Sequence, residues 1–167
     1  MSRRVVVTGI GMVNPMGHDP ETVWSGLKES KSGVGRTTLF DATGFPTQIS
    51  AEVKNWDISQ CGESTEDWAN RGRHTRFAAG AAKQAVSDSG VLSTISDPTR
   101  FGVYLGSGEG NQDFTTFSKM MAAAVADGEH DGSKFIQADL ELINPDAELE
   151  QEQTLPAAHN ARMLDEP

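Results

Sequence analysis

The amino terminus reads Met1-Ser-Arg-Arg-Val-Val-Val-Thr-Gly-Ile-Gly-Met-Val-Asn-Pro-Met-Gly17, and its reading decides the fold class. Three consecutive β-branched residues, Val5 to Val7, favour an extended strand buried on both faces. Gly9 and Gly11, which lack a Cβ, then allow the backbone to turn tightly or to approach another segment closely. A dinucleotide-binding loop begins in a similar way, but its fingerprint needs a third glycine three residues after the second, where a helix opens. Asn14 occupies that position and Pro15 follows, so the phosphate cradle is not formed there. The next helix signal comes only at Asp19-Pro20-Glu21, a capping residue followed by proline at the first helical position.

Working outward, Val23, Trp24 and Leu27 share one face of a helix that fades at Ser32-Gly33. Ile49, Ala51 and Val53 alternate with polar neighbours, as in a half-buried strand of a hairpin or sheet edge. Residues 55–72 are polar and irregular. A strong helix follows, with Phe77, Ala81 and Ala85 recurring every four residues and a stop at Ser89-Gly90; its many small residues imply close packing against a sheet or another helix. Phe101 to Leu105 reads as a second buried strand running into Gly106-Ser107-Gly108-Glu109-Gly110. Phe114, Phe117, Met121 and Val125 form a helical stripe read as core. Thr154-Leu-Pro-Ala-Ala158 marks one more helix start. Strands alternating with helices give an α/β layered fold, yet two or three strands make a thin sheet and leave the helices short of a partner layer. The chain therefore reads as part of something larger.

Composition narrows the function. The 167 residues carry a net charge of −10, and nine acidic residues against Lys134 alone place −8 of it between Asp127 and Glu152. Nucleic acid is set aside as a partner, because an acidic chain lacks the electrostatic footprint of clustered Lys and Arg that phosphate contacts require. A membrane is set aside too, since no apolar run is long enough to span a bilayer. Cys61 is the single cysteine, which excludes an internal disulfide, and no Cys/His spacing forms a metal site. The cytoplasm is the expected compartment, and no cofactor is expected.

Several blocks together carry a resemblance: Arg4 to Gly17, the helix entry with Trp24, Ser32-Gly-Val34, Arg73-His-Thr-Arg-Phe-Ala-Ala-Gly80 through Asp88-Ser-Gly90, and Gly102 to Gly110. In this order they resemble the amino-terminal part of the β-ketoacyl-[acyl-carrier-protein] synthase II family. The resemblance is best over residues 1–110; residues 111–153 form an acidic, divergent insertion, and residues 154–167 resemble the start of the segment that precedes the family's catalytic region. It implies a thiolase-like αβαβα layered fold, of which this is an incomplete amino-terminal half, and a homodimer. It also implies chain extension by decarboxylative Claisen condensation with malonyl-carrier protein. That chemistry needs a cysteine thiolate at a helix N-terminus and donors for the developing oxyanion. By the resemblance, the cysteine and two histidines are expected beyond Pro167, so the 167 residues alone are expected to be inactive. A non-catalytic partner subunit resembling a polyketide chain-length factor is the alternative, and a dinucleotide-binding module a weaker third.

Cys61 is a poor substitute nucleophile, because Glu63, Glu66 and Asp67 disfavour a thiolate beside them. The histidines, His18, His74, His130 and His159, share no ligand or triad spacing. Gly106, Ser107, Gly108 and Glu109 form a tight turn that the resemblance sets beside the acyl pocket, where a carboxylate would restrict or shorten the acyl tunnel. Arg71, Arg73 and Arg76 form the one basic cluster. They read either as a solvated helix terminus or, by the resemblance, as the docking site for acidic acyl carrier protein.

Overall fold

The computed structural model describes residues 4–108, 114–126, 128–150, 152 and 154–165. Helix α1, Pro20–Lys28, starts where the cap signal places it: Asp19 is extended and its carboxylate accepts from the Thr22 N–H. Strands β1, Val34–Arg36, and β2, Ile49–Ala51, pair antiparallel with Val34 opposite Ala51. Helix α2, Arg73–Ser89, ends on Gly90 in the left-handed conformation at φ 61°. Helices α3, Phe114–Ala124, and α4, Gly132–Leu142, form an antiparallel hairpin joined through the two-residue strands β3, Val125–Ala126, and β4, Glu129–His130. A short α5, Pro145–Leu149, leads to α6, Leu155–Asp165.

Helix α2 is the hub. Ile58, in a 3-10 turn over Ile58–Cys61, and Trp68, Ala79 and Met163 make one buried cluster, with Trp56, Ala82 and Leu164 packed around it. This joins the loop before α2, the middle of α2 and the end of α6. The segment over 55–72, polar and irregular in sequence, thus supplies two core anchors. The α3–α4 hairpin has a separate interior of Met120, Ala124 and Ala138, with Phe117 edge-on to Phe135.

Three expectations require correction. Val5–Val7 and Phe101–Leu105 take part in no ladder, and among the described residues the only sheets are the two antiparallel pairs. Val5 and Val7 are 92% and 81% exposed and Tyr104 is fully exposed. A strand buried on both faces needs neighbours on both edges and layers above and below, and the described residues provide none. In β2 the apolar alternation faces outward, since Ile49 is exposed while the opposite face carries Ser50 and the buried Glu52. That face is a polar network: Glu52 accepts from the Thr38 hydroxyl and N–H, the Leu39 N–H and the Ser50 hydroxyl. Finally, the α3 stripe sits one position off, because Met120 and Ala124 are buried whereas Phe114 is exposed.

Candidate functional site

One face of α2, presenting Ala81, Gln84, Ala85 and Asp88, receives the amino-terminal segment. A Cβ on Gly11 would lie 1.8 Å from the Ala81 carbonyl oxygen, and one on Gly9 2.1 Å from that of Ala85. Only glycine permits this approach. The segment's amides find partners on the same face: the Ile10 N–H donates to Asp88 at 3.1 Å and the Met12 N–H to Gln84 at 3.0 Å. The Gln84 amide in turn donates to the His18 carbonyl. Side chains of the helix thus satisfy the amides of Ile10 and Met12 around the second glycine, and the glycine pair serves backbone packing rather than phosphate.

The arginine cluster stands at the N-terminus of α2. Arg71 ion-pairs with Glu150, whose second oxygen lies 2.9 Å from His159 Nε2. The Arg73 guanidinium donates to the Val53 carbonyl at 3.1 Å and lies 5.5 Å over the Phe77 ring. Hydrogen bonds from Ser59 and Thr65 lower the pKa of the Asp57 carboxyl, with a smaller contribution from the Arg76 charge, and Arg76 Nε has no hydrogen-bond partner among the described residues. All three arginines are half-buried. Arg71 and Arg73 are thus already engaged by groups of the chain itself. The Glu150 and His159 partners escaped the sequence reading, because no local spacing links position 71 to positions 150 and 159.

Cys61 borders an open cleft of about 1580 Å³ that Lys83, Gln84, Asp88, Met163 and Leu164 also line. Lys83 donates to the Cys61 carbonyl at 3.2 Å and ion-pairs with Glu63, which also accepts from the Trp68 indole. Burial pushes the Cys61 thiol up; Lys83 pulls it back in part, and the Glu63 charge adds to the rise. The cysteine is therefore a thiol at neutral pH, with no base beside it among its hydrogen-bond partners.

Gly106 and Gly108 have nothing within 4 Å of a built Cβ, and the Ser107 hydroxyl donates to the Gly108 carbonyl. The described part of this loop stands in the open; Glu109 lies outside the described residues. Among those residues no group of His, Cys, Asp and Glu could hold a metal ion, and no helix is long and apolar enough to cross a membrane.

Comparison with known proteins adds the following. The family model described as "Beta-ketoacyl synthase, N-terminal domain" matches residues 2–143. The 3-oxoacyl-[acyl-carrier-protein] synthase 2 of Coxiella burnetii is 41% identical over 108 residues, covering 65% of this chain and 26% of the relative. Two solved structures superpose over nearly the whole chain. They are the ishigamide ketosynthase/chain length factor, with TM-score 0.67, 23% identity and coverage of 99% of this chain and 38% of that one, and a type II PKS acyl-carrier protein in complex with its ketosynthase bound to the hexaketide (AntDE:AntF), with TM-score 0.65, 22% identity and coverage of 98% and 36%. These likenesses show the fold: the helices and hairpin described here form part of a ketosynthase, thiolase-like α/β architecture. The chain spans about a quarter of the length of the curated relatives it matches.

Proposed function

The chain belongs to the β-ketoacyl synthase family through its N-terminal domain, and on that premise we propose that it is the amino-terminal scaffold of a condensing enzyme. That enzyme extends an acyl thioester by decarboxylative Claisen condensation with malonyl-carrier protein. The observation that carries the reading is the family match over residues 2–143, joined to the packing of Gly9 and Gly11 on α2, which gives the identifying segment a core role.

Within this reading the chain contributes framework and partner contacts, not the nucleophile. Its single cysteine is a half-buried thiol whose backbone carbonyl, not its sulfur, accepts from Lys83, whereas acyl transfer requires a thiolate poised at attack distance. Residues 111–153 are the divergent acidic insertion and 154–167 lead toward the catalytic region. The uncovered Val5–Val7 and Phe101–Leu105 runs are where further sheet and the second subunit of a homodimer pack. The enzyme works in the cytoplasm. A chain-length-factor-like partner subunit is the second reading, supported by the likeness to the ishigamide ketosynthase/chain length factor.

Acyl carrier protein docks on Arg71, Arg73 and Arg76, whose positive charge complements an acidic partner. Reversing Arg71 and Arg73 to glutamate is expected to raise the apparent KM for carrier protein in an active synthase containing this segment; an unaltered KM places docking elsewhere. The Gly106, Ser107, Gly108 and Glu109 loop borders the acyl pocket, and Glu109 restricts it. Glu109→Ile is expected to lengthen the accepted acyl chains, and an unchanged product profile rejects that role.

A further inference from the structure

We propose that Glu150 is an intrachain stand-in for the acidic partner, masking Arg71 until a carrier protein displaces it. The proposal rests on the carrier-docking reading of the arginine cluster and adds a regulation of that site. Arg71 and Glu150 are 79 positions apart, so their ion pair is a tertiary choice and not a by-product of helical spacing. Glu150 comes from the acidic run that holds −8 of the chain's charge. It presents to Arg71 the same chemical group, a carboxylate on a strongly negative surface, that an acidic carrier would present.

The geometry is that of a releasable clasp. The Arg71 and Glu150 side chains are 29% and 15% exposed, closed enough for the pair to form and open enough for exchange. His159, on the first half of α6, holds the other Glu150 oxygen and packs its ring against Trp68, which shares a turn with Arg71 through the Arg71 N–H to Trp68 carbonyl bond. The clasp therefore ties α6 to the entrance of α2. Glu148 and Glu152 flank Glu150 in sequence, and their negative charge opposes an incoming acidic surface while the clasp is shut. Among the described residues the ion pair to the acidic run is made by Arg71, so the masking acts on one arm of the cluster.

The test is a titration of fluorescently labelled acyl carrier protein into the wild-type chain, Glu150→Gln and Arg71→Glu. Glu150→Gln is expected to bind roughly three- to fivefold more tightly, the scale of one partly exposed ion pair, and Arg71→Glu more weakly than wild type. If Arg71→Glu binds as wild type does, the docking reading falls and the clasp with it. If Arg71→Glu weakens binding while Glu150→Gln leaves it unchanged, the clasp alone is overturned and the pair is only structural. Should Glu150→Gln unfold, amide exchange in the wild-type chain decides: saturation with carrier is expected to speed exchange over residues 148–150 and the start of α6, and unchanged exchange there overturns the proposal.

Discussion

Replacing Gly11 by alanine tests the junction on which the domain is built. The new Cβ would begin 1.8 Å from the Ala81 carbonyl oxygen and 2.9 Å from the Ala85 nitrogen, both backbone atoms that no rotamer change can move. Reaching the 3.0 Å below which real Cβ contacts essentially do not occur requires the segment and α2 to separate by about 1.2 Å. A shift of that size breaks the Met12 N–H to Gln84 bond, now 3.0 Å, and strains the Ile10 N–H to Asp88 bond, now 3.1 Å. Overpacking costs about 1–3 kcal/mol and a lost hydrogen bond about 1 kcal/mol, so the total is about 2–4 kcal/mol. For a chain of this size that lowers the melting midpoint by roughly 5–15 °C. Gly35→Ala is the control, because a Cβ there meets nothing within 4 Å, and it is expected to stay within about 0.5 kcal/mol of wild type. Urea and thermal denaturation followed by far-UV circular dichroism measure both. A Gly11→Ala chain that melts within about 1 °C of wild type would refute the close-approach account.

Other outcomes follow from the same contacts. The Thr38 hydroxyl and N–H, opposed by burial and aided by Leu39 and Ser50, hold the Glu52 carboxyl at about 2, below its ordinary 4.5. Its stabilisation is complete above the ordinary value and is lost as pH falls through about 2, so the urea midpoints of wild type and Glu52→Gln should differ at pH 7 and converge near pH 2; a gap independent of pH contradicts this. Cys61, its thiol pushed up by burial, should react with iodoacetamide at pH 7.5 more slowly than free cysteine and accelerate on raising the pH; reaction as fast as free cysteine refutes the assignment. The exposed Val5, Val7, Tyr104, Ile136 and Leu140 should make the isolated chain bind an apolar dye and unfold over a broad transition. A sharp transition from a dye-free monomer would show that these faces need no cover.

Much of the helical frame is legible in the sequence, because its signals are local. Asp19 and Pro20 start α1, and Gly90 stops α2 where the periodicity of Phe77, Ala81 and Ala85 ends. The small residues of α2 are small for the reason their spacing implies, a backbone lying on them. What is not legible depends on partners distant in sequence. Val5–Val7 has the composition of a central strand, but composition cannot supply a ladder. Ile58 and Trp68 are apolar residues in a polar stretch, and the middle of α2 together with the return of α6 makes them core. Glu52, just after β2, stands at a position that reads as exposed, yet its burial is tolerated because four donors satisfy it, three of them from Thr38 and Leu39 across the hairpin. Of the candidate site, the arginine cluster is visible as charge, while the engagement of Arg71 by Glu150 and of Arg73 by the Val53 carbonyl is visible only in three dimensions.

The central claim is that this chain provides the frame and carrier contact of a condensing enzyme while its own cysteine takes no acyl group. Intact-mass measurement after incubation with acyl-carrier-protein thioester tests it most directly. The account predicts an unmodified chain mass under conditions in which the carrier binds saturably, and an acyl adduct localised to Cys61 would contradict it.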